Sequence, residues 1–95
     1  MIRYVTLLRF TEQGVKNLKN STTRAAAFRE AAMKAGVNVE TQYWTTGRYD
    51  GVLIFNTKDE TSALRCLASL AAAGKVSTET LRALDAKEFE AIAGK

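Results

Sequence analysis

No histidine and no proline occur among the 95 residues, and there is one cysteine. Without imidazoles, and with a single thiol, the chain offers no cluster from which a zinc or transition-metal site is readily built; no metal and no cofactor is expected. Cys66 has no partner for an internal disulfide and no nearby imidazole to generate a thiolate, so it reads as a small buried or boundary thiol. With neither proline nor any low-complexity linker or repeat, nothing divides the chain, and residues 1–95 are expected to form one domain. No stretch approaches the ~20 apolar residues of a membrane span. The first ten residues carry Arg3 and Arg9 and lack the apolar core of a secretory signal, which points to a cytoplasmic location and no membrane partner.

Charge of one sign is also never concentrated. Fourteen Lys and Arg are interspersed with ten Asp and Glu, giving +4 overall without a basic block. Mild attraction to anions follows, but not the electrostatic footprint of a nucleic-acid binder. What is present is an ordinary globular composition, 46% hydrophobic and 25% charged. A chain of this size hides only about 60–65% of the surface its unfolded form exposes, so association between copies is a natural source of extra stability.

Residues 2–10 are β-branched, aromatic and aliphatic, as a central strand requires. Thr11 is placed to cap a short helical segment reaching Leu18, and the polar stretch 20–23 offers a second N-cap. In the helix that follows, Ala25, Phe28, Ala32 and Ala35 share a face, Glu30 and Lys34 form an i,i+4 pair, and Gly36 supplies a left-handed C-cap. Residues 37–46 alternate as a strand, with Val37, Val39, Thr41 and Tyr43 on one side and Asn38, Glu40, Gln42 and Trp44 on the other. Gly47 to Gly51 suits a hairpin loop, and Val52 to Phe55 returns as a strand apolar on both faces, hence central.

Asp59 caps a second helix whose stripe is Ala63, Leu64, Leu67, Leu70 and Ala71, closed by Gly74. Residues 75–84 form the last strand, and Asp85 with Glu88 makes a capping pair for a short terminal helix carrying Phe89 and Ile92. The order strand, helix, strand, strand, helix, strand with right-handed crossovers gives an α+β, ferredoxin-like domain. Two main helices cover one face of a four-stranded antiparallel sheet, and the other face is left open.

Two motifs in the right order carry a family resemblance: Gly47-Arg48-Tyr49-Asp50 in the hairpin, and Gly74-Lys75-Val76-Ser77-Thr78-Glu79-Thr80-Leu81-Arg82-Ala83 across the last strand. With the opening Tyr4-Val5-Thr6-Leu7-Leu8, followed by Thr11, Gly14 and Leu18, the chain resembles the GYD-domain family over nearly its whole length. The resemblance implies a ferredoxin-like fold and a dimeric or higher assembly, for a family of uncharacterised function. Ser77 stands where many relatives are basic, and Trp44 is a bulky neighbour of the hairpin.

Asp50, beside Tyr49 and Arg48, is a candidate general base or ligand-orienting carboxylate if desolvated; its alternative role is turn chemistry. Tyr49 either presents a phenol to a pocket or packs across strands or into a subunit contact. Thr78, Thr80 and Arg82 share one side of the last strand and offer hydroxyls and a guanidinium to a carboxylate or phosphate, unless Arg82 pairs with Asp50 or Glu40. Glu40, Gln42 and Trp44 are expected to line the open face, with Tyr4, Thr6 and Leu8 facing the same way if the ambiguous parity of the first strand allows.

Three functions follow from these residues. The first is a homo-oligomeric module binding a small metabolite in a sheet-to-sheet or interface pocket. The second is a cofactor-independent oxygenase or isomerase using Asp50 and Tyr49. The third is a weak anion or nucleic-acid binder. Against nucleic acid stands the run Arg48 to Phe55, which puts Asp50 and Val52 where an RNA-recognition sheet needs stacking aromatics.

Overall fold

A computed structural model describes residues 1–94. Strand β1 (Ile2–Phe10) leads into the short helix α1 (Glu12–Lys16), a 3-10 turn at Leu18–Asn20 and the long helix α2 (Ser21–Lys34). Strands β2 (Val37–Trp44) and β3 (Gly51–Thr57) form the hairpin, α3 (Glu60–Ala72) crosses back, and β4 (Val76–Ala83) precedes α4 (Ala86–Ala93). All pairings are antiparallel and the spatial order is β2-β3-β1-β4, the expected α+β arrangement with β1 and β3 at the centre.

Local chemistry sets most boundaries. The Thr11 hydroxyl accepts from the Gly14 amide to start α1, and the Asp59 carboxylate accepts from Thr61 to start α3. Asp85 and Glu88 form a reciprocal capping box at α4. Gly36 and Gly74 end their helices at φ 85° and 75°, backbone that a side chain would strain. The expected polar cap of α2 is not realised, since the N-cap side chain makes no capping hydrogen bond. Its N-cap residue, Asn20, is instead part of the preceding 3-10 turn.

The core lies between the sheet and α2 with α3. Tyr4, Leu8, Leu53, Phe55 and Val37 project from the strands to meet Ala32, Ala63 and Cys66. Tyr4 and Phe55 stack with ring centroids 5.4 Å apart. Burying side chains as large as Leu53 and Phe55 stabilises the fold by roughly 1.5–3 kcal/mol each. On α3 the buried stripe is Ala63, Cys66, Leu67 and Leu70, whereas Leu64, expected within it, is exposed.

The parity of two strands differs from expectation. Tyr4, Thr6 and Leu8 face the helices, not the open side, and are buried. In β2 the register shifts between Val39 and Thr41, a bulge at Glu40 that puts two successive residues on one side. Val37 and Val39 therefore face the core, but beyond the bulge Gln42, opposite Leu53, does so as well. Thr41 and Tyr43 turn to the open face.

Candidate functional sites: the open sheet face and the helix-side cleft

Each face of the sheet now has a definite cast. On the open face, register aligns Tyr43, Val52 and Leu7 in one row across the strands, and Thr41, Ile54, Val5 and Leu81 in the next. These rows make a continuous apolar band. Tyr43 is 61% exposed and Leu81 47%, so the band is open to solvent along both flanks.

Polar groups close the band at both ends. At one end Glu40 Oε2 accepts from Arg3 Nε and from Asn56 Nδ2, each at 2.6 Å. The hydrogen bonds from Asn56 and then Arg3 hold the Glu40 carboxyl below its ordinary range, while Glu40 raises Arg3 by the same hydrogen bond and its charge. Asp85 and Glu88 at the start of α4 add negative charge near Arg3. Asn56 Oδ1 is buried with no hydrogen-bond partner among the described residues.

At the other end Tyr49 is flanked by two guanidinium groups, Arg9 at 5.3 Å and Arg48 at 5.9 Å from the ring centroid. Its hydroxyl donates to Glu79 Oε1 at 2.9 Å, and Arg9 Nε donates to the Arg48 carbonyl at 2.9 Å. Tyr49 thus reaches from the hairpin to β4 across the end of the sheet. Two arginines against one glutamate leave this end net positive.

Asp50, the next residue, serves the opposite side of the sheet. Its carboxylate accepts from the Phe10 amide at 2.8 Å, and its own amide donates to the Leu8 carbonyl at 2.8 Å, tying the hairpin to the end of β1. Tyr49 and Asp50 do not converge on a common point: the Tyr49 hydroxyl bonds Glu79, whereas the Asp50 carboxylate bonds the Phe10 amide and lines the helix-side cleft. The acid-and-phenol pair read from the sequence is divided by the sheet.

The two rows of ligand candidates are also redistributed. Of Glu40, Gln42 and Trp44 only Glu40 borders the open face; the bulge sends Gln42 and Trp44 to the helix side. Thr78, Thr80 and Arg82 do share a side, but it is the helix side, opposite Leu8, Thr6 and Tyr4. Thr80 Oγ1 lies 2.9 Å from Thr6 Oγ1. Arg82 reaches neither Asp50 nor Glu40; it sits 6.0 Å over the Tyr4 ring and donates to the Ala83 carbonyl.

The helix-side face is not filled along its whole length. Between α2, α3 and the hairpin end of the sheet lies a cleft of about 300 Å³, with Leu8, Phe10, Phe28, Leu53, Leu70 and Val76 among its apolar walls. Its origin is side-chain volume. Ala25 on α2, Ser69 on α3, Ala73 at its C-cap and Gly51 on β3 line this end, where large residues would close the gap. Trp44 forms one wall and is fixed by its indole N–H donating to Ser21 Oγ at 2.8 Å. The alternating pattern of β2 concealed this cleft, because it assigned Gln42 and Trp44 to the other face.

No group of three or more His, Cys, Asp or Glu suited to a metal occurs among the described residues. Burial pushes the Cys66 thiol up, and no helix of the described residues is long and apolar enough to cross a membrane.

Comparison with known proteins agrees with this architecture. The chain is 32% identical over 85 residues to a Thermus thermophilus protein named glutamine synthetase and cystathionine beta-lyase binding protein, covering 88% of this chain and 90% of that one. The crystal structure of TTHA0845 from Thermus thermophilus superposes with a TM-score of 0.56 at 28% identity, covering 90% of this chain and 96% of the other. A model of the GYD domain matches residues 4–93, and the chain belongs to the GYD domain family.

Proposed function

We propose that this protein is a non-enzymatic docking module, which pairs with a second copy through the open sheet face and in that form holds a metabolic enzyme. The observation that carries the reading is the apolar band of Val5, Leu7, Tyr43, Val52, Ile54 and Leu81, open to solvent along both flanks among the described residues. A contiguous apolar surface of this kind marks an interface in soluble proteins. A second copy fits it by charge: the acidic surroundings of Arg3 and the basic cluster around Tyr49 lie at opposite ends of the strands. A twofold axis in the sheet plane and perpendicular to the strands sets each end over its opposite. The name of the Thermus relative supports an enzyme as the further partner.

The enzymatic alternative is disfavoured by the placement of Tyr49 and Asp50 on opposite sides of the sheet. Nucleic-acid binding is disfavoured because Arg3 is paired with Glu40, and Arg9 and Arg48 are gathered at one end against Tyr49 and Glu79 instead of forming a basic track across the apolar band.

Sedimentation equilibrium tests the pairing. The wild-type chain is expected to be a dimer, and Leu7→Asp combined with Ile54→Asp a monomer that keeps its circular dichroism. A wild-type chain that stays monomeric at the highest accessible concentration defeats it. Calorimetric titration into purified bacterial glutamine synthetase tests the second half, with binding by the wild type and loss in the monomeric variant expected.

A further inference from the structure

We infer that the helix-side cleft is a binding site for a small apolar carboxylate, such as an arylalkanoic acid, whose ring enters between α2 and α3 while its carboxylate stays at the mouth by Arg24. The inference does not rest on the docking reading, since the cleft lies on the other side of the sheet.

Size and lining come first. At roughly 30 Å³ per liquid water, the space holds about ten waters. That is the low end for ligand pockets, which combine apolar walls with a few polar groups that fix orientation. Ser21, Gln42 and Ser69 are the uncharged polar side chains of the lining and Arg24, Asp50 and Lys75 the charged ones, among walls otherwise dominated by aliphatic and aromatic groups. Aromatic walls from Phe10, Phe28 and Trp44 favour a ring over a polar metabolite.

Charge selects the head group. Arg24 and Lys75 line the cleft, and neither forms an ion pair among the described residues. Arg24 donates through one terminal nitrogen to the Asn17 carbonyl at 2.8 Å, which anchors the guanidinium and leaves its other donors unassigned. Asp50 is the one acid in the lining, and its Oδ2 is held by the Phe10 amide. The balance at the mouth is one net positive charge.

The helix ends decide where the head sits. The first turn of α2, with Ser21 and Arg24, opens on the cleft; its N-cap side chain makes no capping bond and the Ser21 amide is taken by the Leu18 carbonyl, so the helix dipole adds only modestly to the charge of Arg24. The last turn of α3 brings carbonyls of the opposite sign to the other wall. A carboxylate is therefore stabilised on the α2 side, with Lys75 offsetting the α3 terminus.

The test uses 4-phenylbutanoate and its uncharged amide as probes, followed by amide chemical shifts in the full-length protein. The acid is expected to shift Ala25, Leu70 and Val76 in a saturable manner and to raise the melting temperature. The amide should bind at least about tenfold more weakly, as should the acid to Arg24→Gln, because a charge-assisted hydrogen bond is lost in each case. Ala25→Leu fills the cleft; it should keep the spectrum of a folded protein, melt no lower than wild type and lose the response to the acid. Absence of saturable shifts in the wild type, equal affinity for acid and amide, or an unaltered response in Ala25→Leu overturns the inference. Because the monomeric Leu7→Asp, Ile54→Asp variant retains the cleft, binding of the acid there is expected to persist.

Discussion

The Trp44 indole N–H donates to Ser21 Oγ at 2.8 Å, joining the end of edge strand β2 to the first residue of α2. This contact holds the wall of the cleft and depends on the bulge earlier in the strand, which turned Trp44 inward. Ser21→Ala is expected to lower stability by about 0.5–1 kcal/mol, because the indole is half exposed and water replaces the lost acceptor. Trp44 is the one tryptophan, so its emission reports the change directly: a red shift in Ser21→Ala alongside a small decrease in the urea midpoint. An unchanged spectrum would mean the indole is held by its walls alone.

How much of this was legible in the sequence depends on the kind of signal. Caps at Thr11, Asp59 and Asp85 and the terminal glycines Gly36 and Gly74 are local, and each acts as its chemistry dictates. Element order and sheet topology follow from them. Which way a strand faces is not local. Periodicity in β2 is interrupted at Glu40 by a bulge whose cause is its pairing with β3, so every assignment after it inverted. In β1 both faces are apolar, since Val5 and Leu7 belong to the open band while Tyr4 and Leu8 fill the core. The common side of Thr78, Thr80 and Arg82 was readable from spacing, but which side it was required the register with Tyr4, Thr6 and Leu8. The cleft arises from small residues on several different elements and leaves no mark on any one segment.

Thr6 and Thr80 provide a test of asymmetry across β1 and β4. Thr6 is fully buried, Thr80 is exposed, and their hydroxyls are 2.9 Å apart. Thr80→Val strands the Thr6 hydroxyl without its partner and is expected to cost about 1–3 kcal/mol. Thr6→Val leaves Thr80 to water and is expected to be nearly neutral, with the double variant close to it. Urea denaturation of all four proteins gives the coupling, and equal costs for the two single changes would contradict this account.

Glu40 makes the stability pH-dependent. Its carboxyl is held low in the folded chain by Asn56 and Arg3, so the stabilisation is present above the unfolded value of about 4.3 and is lost as pH falls through the folded value. Glu40→Gln should be less stable than wild type near neutrality, with the gap closing on acidification. Urea midpoints at pH 7 and at about pH 3 measure it. A gap that is constant across this interval would place the effect in packing.

Cys66 is expected to be unreactive in the native state. Desolvation in the α3 stripe raises the thiol and disfavours the thiolate, which is the reacting form. A disulfide reagent at neutral pH should titrate no thiol on a timescale of minutes in buffer and one per chain in urea. Rapid native labelling would show that the helix opens locally, since only exposure restores ordinary reactivity.

Gly14 is the position least tolerant of a side chain. A Cβ there would stand 2.0 Å from the Lys75 carbonyl oxygen and 3.3 Å from Phe10 Cδ1. The obstacle is backbone, pinned by Thr11, whose amide donates to that same carbonyl at 3.0 Å and whose hydroxyl donates to the Gly74 carbonyl at 2.6 Å. The atoms cannot swing aside as a flexible side chain does; either α1 lifts from the start of β4 or the Thr11 bonds break. Gly14→Ala is therefore expected to destabilise by about 2–3 kcal/mol, at the upper end for overpacking, although alanine is the better helix former by about 1 kcal/mol. At Gly94 a Cβ would meet the Glu90 carbonyl oxygen at 2.7 Å, but that contact lies within the last turn of α4, beyond the sheet and core, where fraying relieves it. Gly94→Ala should therefore cost far less. Thermal denaturation of the two variants separates the readings: a loss confined to Gly14→Ala supports close backbone approach, and equal small losses would mean that α1 is free to move.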